Sequence, residues 1–395
     1  MSEPWRNWIP GVLNKGQMKA LFGQELIVTS RRDGVDALLD ESSLDLTLSN
    51  EAYRMLHGSV KPVADLPYTS VLGNAELAQR HEPQADGSYC LRAKQTYVFK
   101  LSERLHKRLA EGGIYGQATA KSSVGRVDVL ARLIVDGMET YESFTPEGVA
   151  RQSGDLYLEV TPITFSVLVR PGTSLSQLRL FYGEPDQAEI RSVWLYRSVF
   201  PGQDKREGAL AVSLEPTVIG GLETVAFCAE PEGPERAPVP LWEEQSARKP
   251  DPWDYWDLRQ AEGKRLTIEA EKFYILRSKE QIAVPKGIAA YCRASDETIG
   301  EMRIHYAGFA HPCFGTTGTG EGTPLIFEVR GHQVNVSLAH GERLANLTFY
   351  RMSEDADPND VRDTVYQRQT LTLSKFFGPW PTRLNRGADG RIQPA

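Results

Sequence analysis

Short runs in which apolar and polar residues alternate dominate this chain. Ser43-Leu-Asp-Leu-Thr-Leu48 alternates at period two, as do Thr96–Leu101, Leu156–Val160 and Phe165–Val169. Each predicts a half-buried strand, because alternate side chains of a strand point to opposite faces. Pro146, Gly148, Gly154, Pro162, Pro171 and Gly172 punctuate the runs at short intervals. Many short strands with frequent turns predict a mainly β chain, a barrel or a sandwich. Helical periodicity is sparse: residues 11–21 predict one short amphipathic helix, capped by Asn14.

A second series of strands begins with Ala209-Leu-Ala-Val-Ser-Leu214. Between it and the strands that follow lies 230–256, which carries Pro231, Pro234, Pro238, Pro240, Trp242, Pro250, Pro252, Trp253 and Trp256. Proline cannot donate to a ladder or continue a helix, so this stretch predicts an excursion anchored by its indoles. The two series are related. Residues 93–103 align with 270–280, pairing Tyr97 with Tyr274. Residues 155–160 align with 324–329, pairing Glu159 with Glu328, and 171–178 with 340–347, pairing Gln177 with Asn346. Order, spacing and chemistry agree, so the chain reads as an internal duplication. The expected units are 1–195 and 196–395, each of ordinary domain size.

Composition narrows the class. In 395 residues, 41% are hydrophobic and 25% charged, as in soluble globular proteins. A net charge of −7 argues against a broad nucleic-acid surface, though a small phosphorylated ligand needs only a local cluster of cations. No window approaches a membrane span. The start of the chain lacks an apolar signal region, and Cys90, Cys228, Cys292 and Cys313 form no paired motif. A reducing cytoplasm is the expected location.

The candidate chemistry begins at Lys121-Ser122-Ser123-Val124-Gly125-Arg126. Two hydroxyls, two cations and a glycine suit an anion such as phosphate, and a solvated turn before a strand is the plainer alternative. In the second copy the aligned residues are Arg293-Ala294-Ser295, followed by Asp296-Glu297, which would repel phosphate. That copy has its own distinctive stretch, His305 to Gly315. It predicts strand, tight turn and strand, with Gly308 admitting a flat ligand and Tyr306 or Phe309 able to stack on it. Glu328 lies within the apolar run 325–329, so its carboxylate is either paired, with Arg330 or Arg303, or held for proton transfer.

With these residues the chain resembles the dCTP deaminase branch of the trimeric dUTPase superfamily, in its long two-domain bacterial form. Ser122-Ser-Val-Gly-Arg126 resembles that family's Ser-Ser-x-x-Arg motif, and 305–315 its base-binding hairpin. Leu156–Glu159 and Ile326–Glu328 both resemble the strand bearing its glutamate. Gly172–Leu178 is similar to its Gly-x-x-x-x-Gln-Leu motif, and Tyr366–Gln369 to its Tyr-x-x-Gln closing segment. Asp128 departs from the pattern, standing where many relatives have glycine, and the first hairpin is enlarged after Gly137.

The resemblance implies two tandem distorted β-barrels of the dUTPase-like (β-clip) type with a few short helices. It implies hydrolysis of dCTP to dUTP and ammonia in pyrimidine deoxynucleotide biosynthesis. Glu328 is the expected general base, with Glu159 the competing candidate, and Arg126 and Ser122 would orient water and stabilise charge. Lys121, Ser123 and Gln177 would hold a triphosphate bridged by Mg²⁺; His305, Tyr306, Ala307, Gly308, Tyr366 and Gln369 would complete substrate binding. Zinc deaminases carry a Pro-Cys-x-x-Cys element. Here Pro312-Cys313 is followed by Phe-Gly-Thr, so no zinc set is expected. The family also implies homo-oligomers, with sites between barrels. The rivals are a dUTP diphosphatase or a bifunctional dCTP-to-dUMP enzyme, with Asp136 as the acid, and an inactive nucleotide-binding scaffold.

Overall fold

The computed structural model describes residues 3–31, 34–151, 154–230, 236–242, 249–294, 302–305, 308–316, 321–361, 366–388 and 390–395, with 303–305 described by their backbone. Six strands carry the first unit: β1 (Leu44–Met55), β2 (Tyr97–Leu105), β3 (Ile114–Ala120), β4 (Val129–Val135), β5 (Asp155–Pro162) and β6 (Ser174–Tyr182). Six carry the second: β7 (Ala209–Ser213), β8 (Phe273–Ile282), β9 (Ile288–Ala294), β10 (Met302–His305), β11 (Thr323–Gly331) and β12 (Arg343–Arg351). The first sheet runs β4-β5-β2-β1-β6-β3, and the second repeats every one of these pairings among β7 to β12. The sheets bend into barrel-like halves, as their alternating patterns predict.

Register confirms the duplication residue by residue. Glu159 lies opposite Val98 in the β5–β2 pair, and Glu328 opposite Ile275 in the β11–β8 pair. Val98 and Ile275 are the residues after the aligned Tyr97 and Tyr274. One aligned segment must shift. Ala120 ends β3 opposite Ser176, and Ala294 ends β9 opposite Ala345. Ser176 and Ala345 are counterparts, so Arg293 and Ala294 belong inside the strand. The positions matching 121–123 are therefore 295–297, two residues later than the sequence alignment puts them, and they fall outside the described residues. Local similarity could not fix that register; the ladder does, because a slip moves every side chain.

Other expectations are adjusted at their edges. The helix spans Lys15–Gly23, with Asn14 and Gln17 forming a capping box. Residues Gly11–Val12 instead make a strand that pairs with Phe181 and Tyr182 at the end of β6. The predicted strand at 165–169 is shorter, Val167–Val169. The proline-rich excursion is anchored where its described parts reach the first unit. Val239–Pro240 pairs in parallel with Val167–Leu168, and Trp256 is buried against Phe165 and Phe273.

One hydrophobic cluster runs across both units. Phe165 and Leu241 pack in the same buried cluster as Phe227, Phe273, Leu371, Leu373 and Phe377. Each fully buried side chain of this size contributes roughly 1.5–3 kcal/mol. On another face, Phe181 of β6 meets Tyr350 of β12 edge-on, with ring centroids 5.3 Å apart. That continuity makes the cleft between the units a rigid place to build a site.

Candidate functional site

After β3 the chain turns through one helical turn, Ser122–Gly125, with Lys121 extended at its start. Ser123 to Asp128 are buried; Ser122 faces outward. Asp128 has φ +58°, a conformation that favours glycine. Aspartate is among the residues that tolerate this conformation, and here its carboxylate is also used. It accepts from Thr164 Oγ1 at 2.5 Å and pairs with Arg330 of the second unit. Arg330 is thus occupied by Asp128 and the Glu271 carbonyl rather than by Glu328.

Arg126 is buried and turned towards the second unit. Its Nη2 donates to Gln369 Oε1 at 2.6 Å, its Nη1 to the Thr372 carbonyl at 3.1 Å, and its guanidinium stacks 4.3 Å from the Tyr366 ring centroid. Its Nε is buried without a hydrogen-bond partner among the described residues. Ser374 Oγ donates to the Ser123 carbonyl at 2.7 Å, so the segment 366–377 is strapped over the turn. Gln369 Nε2 in turn donates to the Pro324 carbonyl at the start of β11. One arginine therefore joins the first unit's turn, the C-terminal strap and the strand that carries Glu328.

Glu328 projects from β11 into the same place. Its carboxyl packs on Gly125, where an added Cβ would stand 2.5 Å from Oε2. Burial pushes the Glu328 carboxyl well above the usual carboxylate range; nearby Arg126 opposes this and Asp128 adds to it. A carboxyl whose proton affinity is raised in this way can lend and recover a proton.

Arg126, Glu328, Lys121, Ser122, Ser123, Gln177, Gly308, Tyr366 and Gln369 all line one cavity of about 1210 Å³ between the units. His305 is described by its backbone, opposite Glu328 in the β10–β11 ladder. Tyr306 and Ala307 lie outside the described residues. Lys121 Nζ pairs with Asp45 at 2.5 Å on the cavity wall. Reasoning from sequence missed Lys375, whose ammonium burial and the Lys121 charge push down to about 8. It also missed His311, held near 4 by burial and in contact with Ser42 Oγ at 3.1 Å, and Cys292, whose thiol burial and Glu328 push up to about 12. Two basic side chains in a strap otherwise rich in Leu and Phe would have been the only sequence signal for Lys375.

Glu159 is placed elsewhere. It is buried, and it is held by Arg132, Ser59 Oγ at 3.1 Å and Tyr141 OH at 3.1 Å, outside the lining of the cavity. The copies differ at one register position: Arg132 lies opposite Glu159, whereas His305 lies opposite Glu328. A cross-strand arginine engages Glu159 in an ion pair. The enlarged first hairpin supplies Tyr141, which fills the remaining acceptor. Asp136 is likewise engaged, accepting from the Tyr68 N–H at 2.6 Å, and does not line the cavity.

Two family models match: the 2'-deoxycytidine 5'-triphosphate deaminase N-terminal domain over 9–184, and the C-terminal domain of the same family over 235–377. The chain belongs to the two-domain 2'-deoxycytidine 5'-triphosphate deaminase family. Its fold is similar to the crystal structure of the 2'-deoxycytidine 5'-triphosphate deaminase from Agrobacterium tumefaciens. The identity is 29%, with 88% of this chain and 97% of that one covered, at a TM-score of 0.77. No curated protein sequence matches the chain. The cavity described above brings together the Ser-Ser-Val-Gly-Arg turn of one unit and the buried Glu328 carboxyl of the other.

Proposed function

We propose that the cavity binds dCTP and hydrolyses its exocyclic amine, giving dUTP and ammonia. The observation that carries this is the buried Glu328 carboxyl packed on Gly125 of the Ser-Ser-Val-Gly-Arg turn. Lys121, Ser122, Ser123, Gln177 and Lys375 hold the triphosphate, taken as its Mg²⁺ complex, and the wall from Gly308 to His311 receives the base. Glu328 takes a proton from water as its oxygen adds to C4 and delivers it to N3, then takes the proton of the new C4 hydroxyl and delivers it to the departing amine. Arg126, whose Nε has no hydrogen-bond partner among the described residues, orients the water and stabilises the charge that develops. Water supplies the new carbonyl oxygen, ammonia leaves, and no phosphate bond breaks, which makes the enzyme a hydrolase acting on carbon–nitrogen bonds.

Purified protein given dCTP and dUTP separately tests the assignment. Ammonia from dCTP without pyrophosphate is expected. Pyrophosphate from dUTP would establish a diphosphatase instead, and triphosphate binding without either product would leave a scaffold. Nothing in the geometry favours those rivals, since Asp136 is bound to backbone away from the cavity. Homo-oligomeric assembly and a cytoplasmic location complete the proposal. Among the described residues no helix is long and apolar enough to cross a membrane.

A further inference from the structure

Arg179 is a cation with no carboxylate partner among the described residues. It sits on β6 of the first unit, fully buried. Its Nη1 donates to the Ala290 carbonyl at 2.9 Å and its Nη2 to the Ala310 carbonyl at 3.5 Å, both in the second unit. Its guanidinium lies 3.9 Å from the centroid of the Phe309 ring. Its Nε finds no partner among the described residues. Burying a guanidinium this way costs more than burying a methionine or leucine of similar reach, so stability alone gives no reason to keep it. What it does keep is geometry. Ala290 and Ala310 face each other in the β9 ladder with the strand Phe309–Ala310, and one planar fork grips both.

That strand is part of the cavity wall. Phe309, Ala310 and His311 line the cavity and Arg179 does not, and the Phe309 and His311 rings meet edge-on at 6.5 Å. The internal duplication supplies an independent observation. Thr348 is the counterpart of Arg179 in the second copy, aligned through the same segment that pairs Gln177 with Asn346. The arginine is present only in the unit that faces the functional hairpin. The geometry points to Arg179 as a positioning residue, which reaches across the seam from the phosphate-binding unit to set the wall that receives the base.

This rests on the deaminase reading of the cavity, so the test separates phosphate binding from base binding. In the full-length chain, Arg179→Met and Arg179→Lys are compared with wild type by dCTP turnover and by calorimetric binding of dUTP and of inorganic tripolyphosphate. For Arg179→Met we expect kcat/KM for dCTP to fall about 100-fold and dUTP binding to weaken at least about 10-fold, with tripolyphosphate binding within about twofold of wild type. Arg179→Lys restores the charge without the planar fork and recovers only part of the loss. Equal weakening of dUTP and tripolyphosphate, or no weakening of either, overturns the assignment. If Arg179→Met fails to fold, the same split between ligands is required of Arg179→Lys, at the smaller size its partial recovery leaves. A wild-type protein that binds dUTP but releases no ammonia from dCTP refutes the deaminase reading instead, and the binding split still decides the role of Arg179.

Discussion

Glu328 of the second unit lies against the α-carbon of Gly125 of the first, so close that a methyl group there would occupy the space of its carboxyl. Gly125 sits within the helical turn Ser122–Gly125 and not among the residues of positive φ, so alanine is acceptable to the backbone. Only the contact forbids it. Gly125→Ala is therefore expected to displace Glu328 and reduce kcat for dCTP by about 100-fold or more, given how steeply rate falls with misplacement of a reacting group. Thermal melting should change by much less than for a core truncation. Near-normal turnover by Gly125→Ala would show that Glu328 need not stand there.

Glu328 also makes stability depend on pH in a particular direction. Its folded-state affinity for a proton exceeds that of the unfolded chain, whose carboxyl titrates near 4.5. The native state then binds more protons across the interval above 4.5, so this group lowers stability as pH rises through that window. Glu328→Gln removes the term. It should abolish ammonia release and raise the stability at pH 8 by about 1–3 kcal/mol relative to wild type, with a smaller gain at pH 5. Urea titrations at the two pH values check both sign and size.

Glu159 provides the control. It satisfies Arg132, Ser59 and Tyr141 and faces away from the cavity, so Glu159→Gln should leave dCTP turnover within about a factor of two. It should cost about 1–3 kcal/mol of stability, because Arg132 and Tyr141 lose a charged partner that is itself buried. Steady-state kinetics beside a denaturant midpoint will show which glutamate serves chemistry: an activity loss comparable to that of Glu328→Gln would reverse the assignment.

Gln369 links Arg126 to the Pro324 carbonyl. Gln369→Ala leaves a buried guanidinium nitrogen and a buried carbonyl unsatisfied, at roughly 1–3 kcal/mol. If the strap holds Arg126 in its catalytic pose, most of that cost appears in kcat/KM, a fall of about 5- to 150-fold. The Tyr366 ring stacked on Arg126 should then lose its order, so near-ultraviolet circular dichroism gives a second readout.

Much of this protein was legible in the chain. Period-two alternation at 43–48 and 156–160 specifies strands because a pleated backbone sends neighbours to opposite faces, and the aligned apolar run at 325–329 repeats that order in a second like unit. The turn at 121–126 was also readable, since hydroxyls, cations and glycine within six residues make it a local property. The counterpart of that turn was misjudged by two residues, because similarity between short segments does not fix strand register.

The choice between Glu159 and Glu328 could not be read from sequence. Both sit in apolar strands with the same pattern, and each faces a residue more than twenty positions away in the chain. Arg132 crosses from the neighbouring strand to hold one; Gly125 of the other unit makes room for the second. The same is true of Arg179, whose partners are backbone carbonyls that any sequence would present. Alternation and spacing are set by bonds along the backbone, so the sequence alone determined strands, repeat and motif. A carboxyl's charge state and neighbours depend on what packs around it from distant segments, so only the tertiary structure decided which glutamate meets the turn.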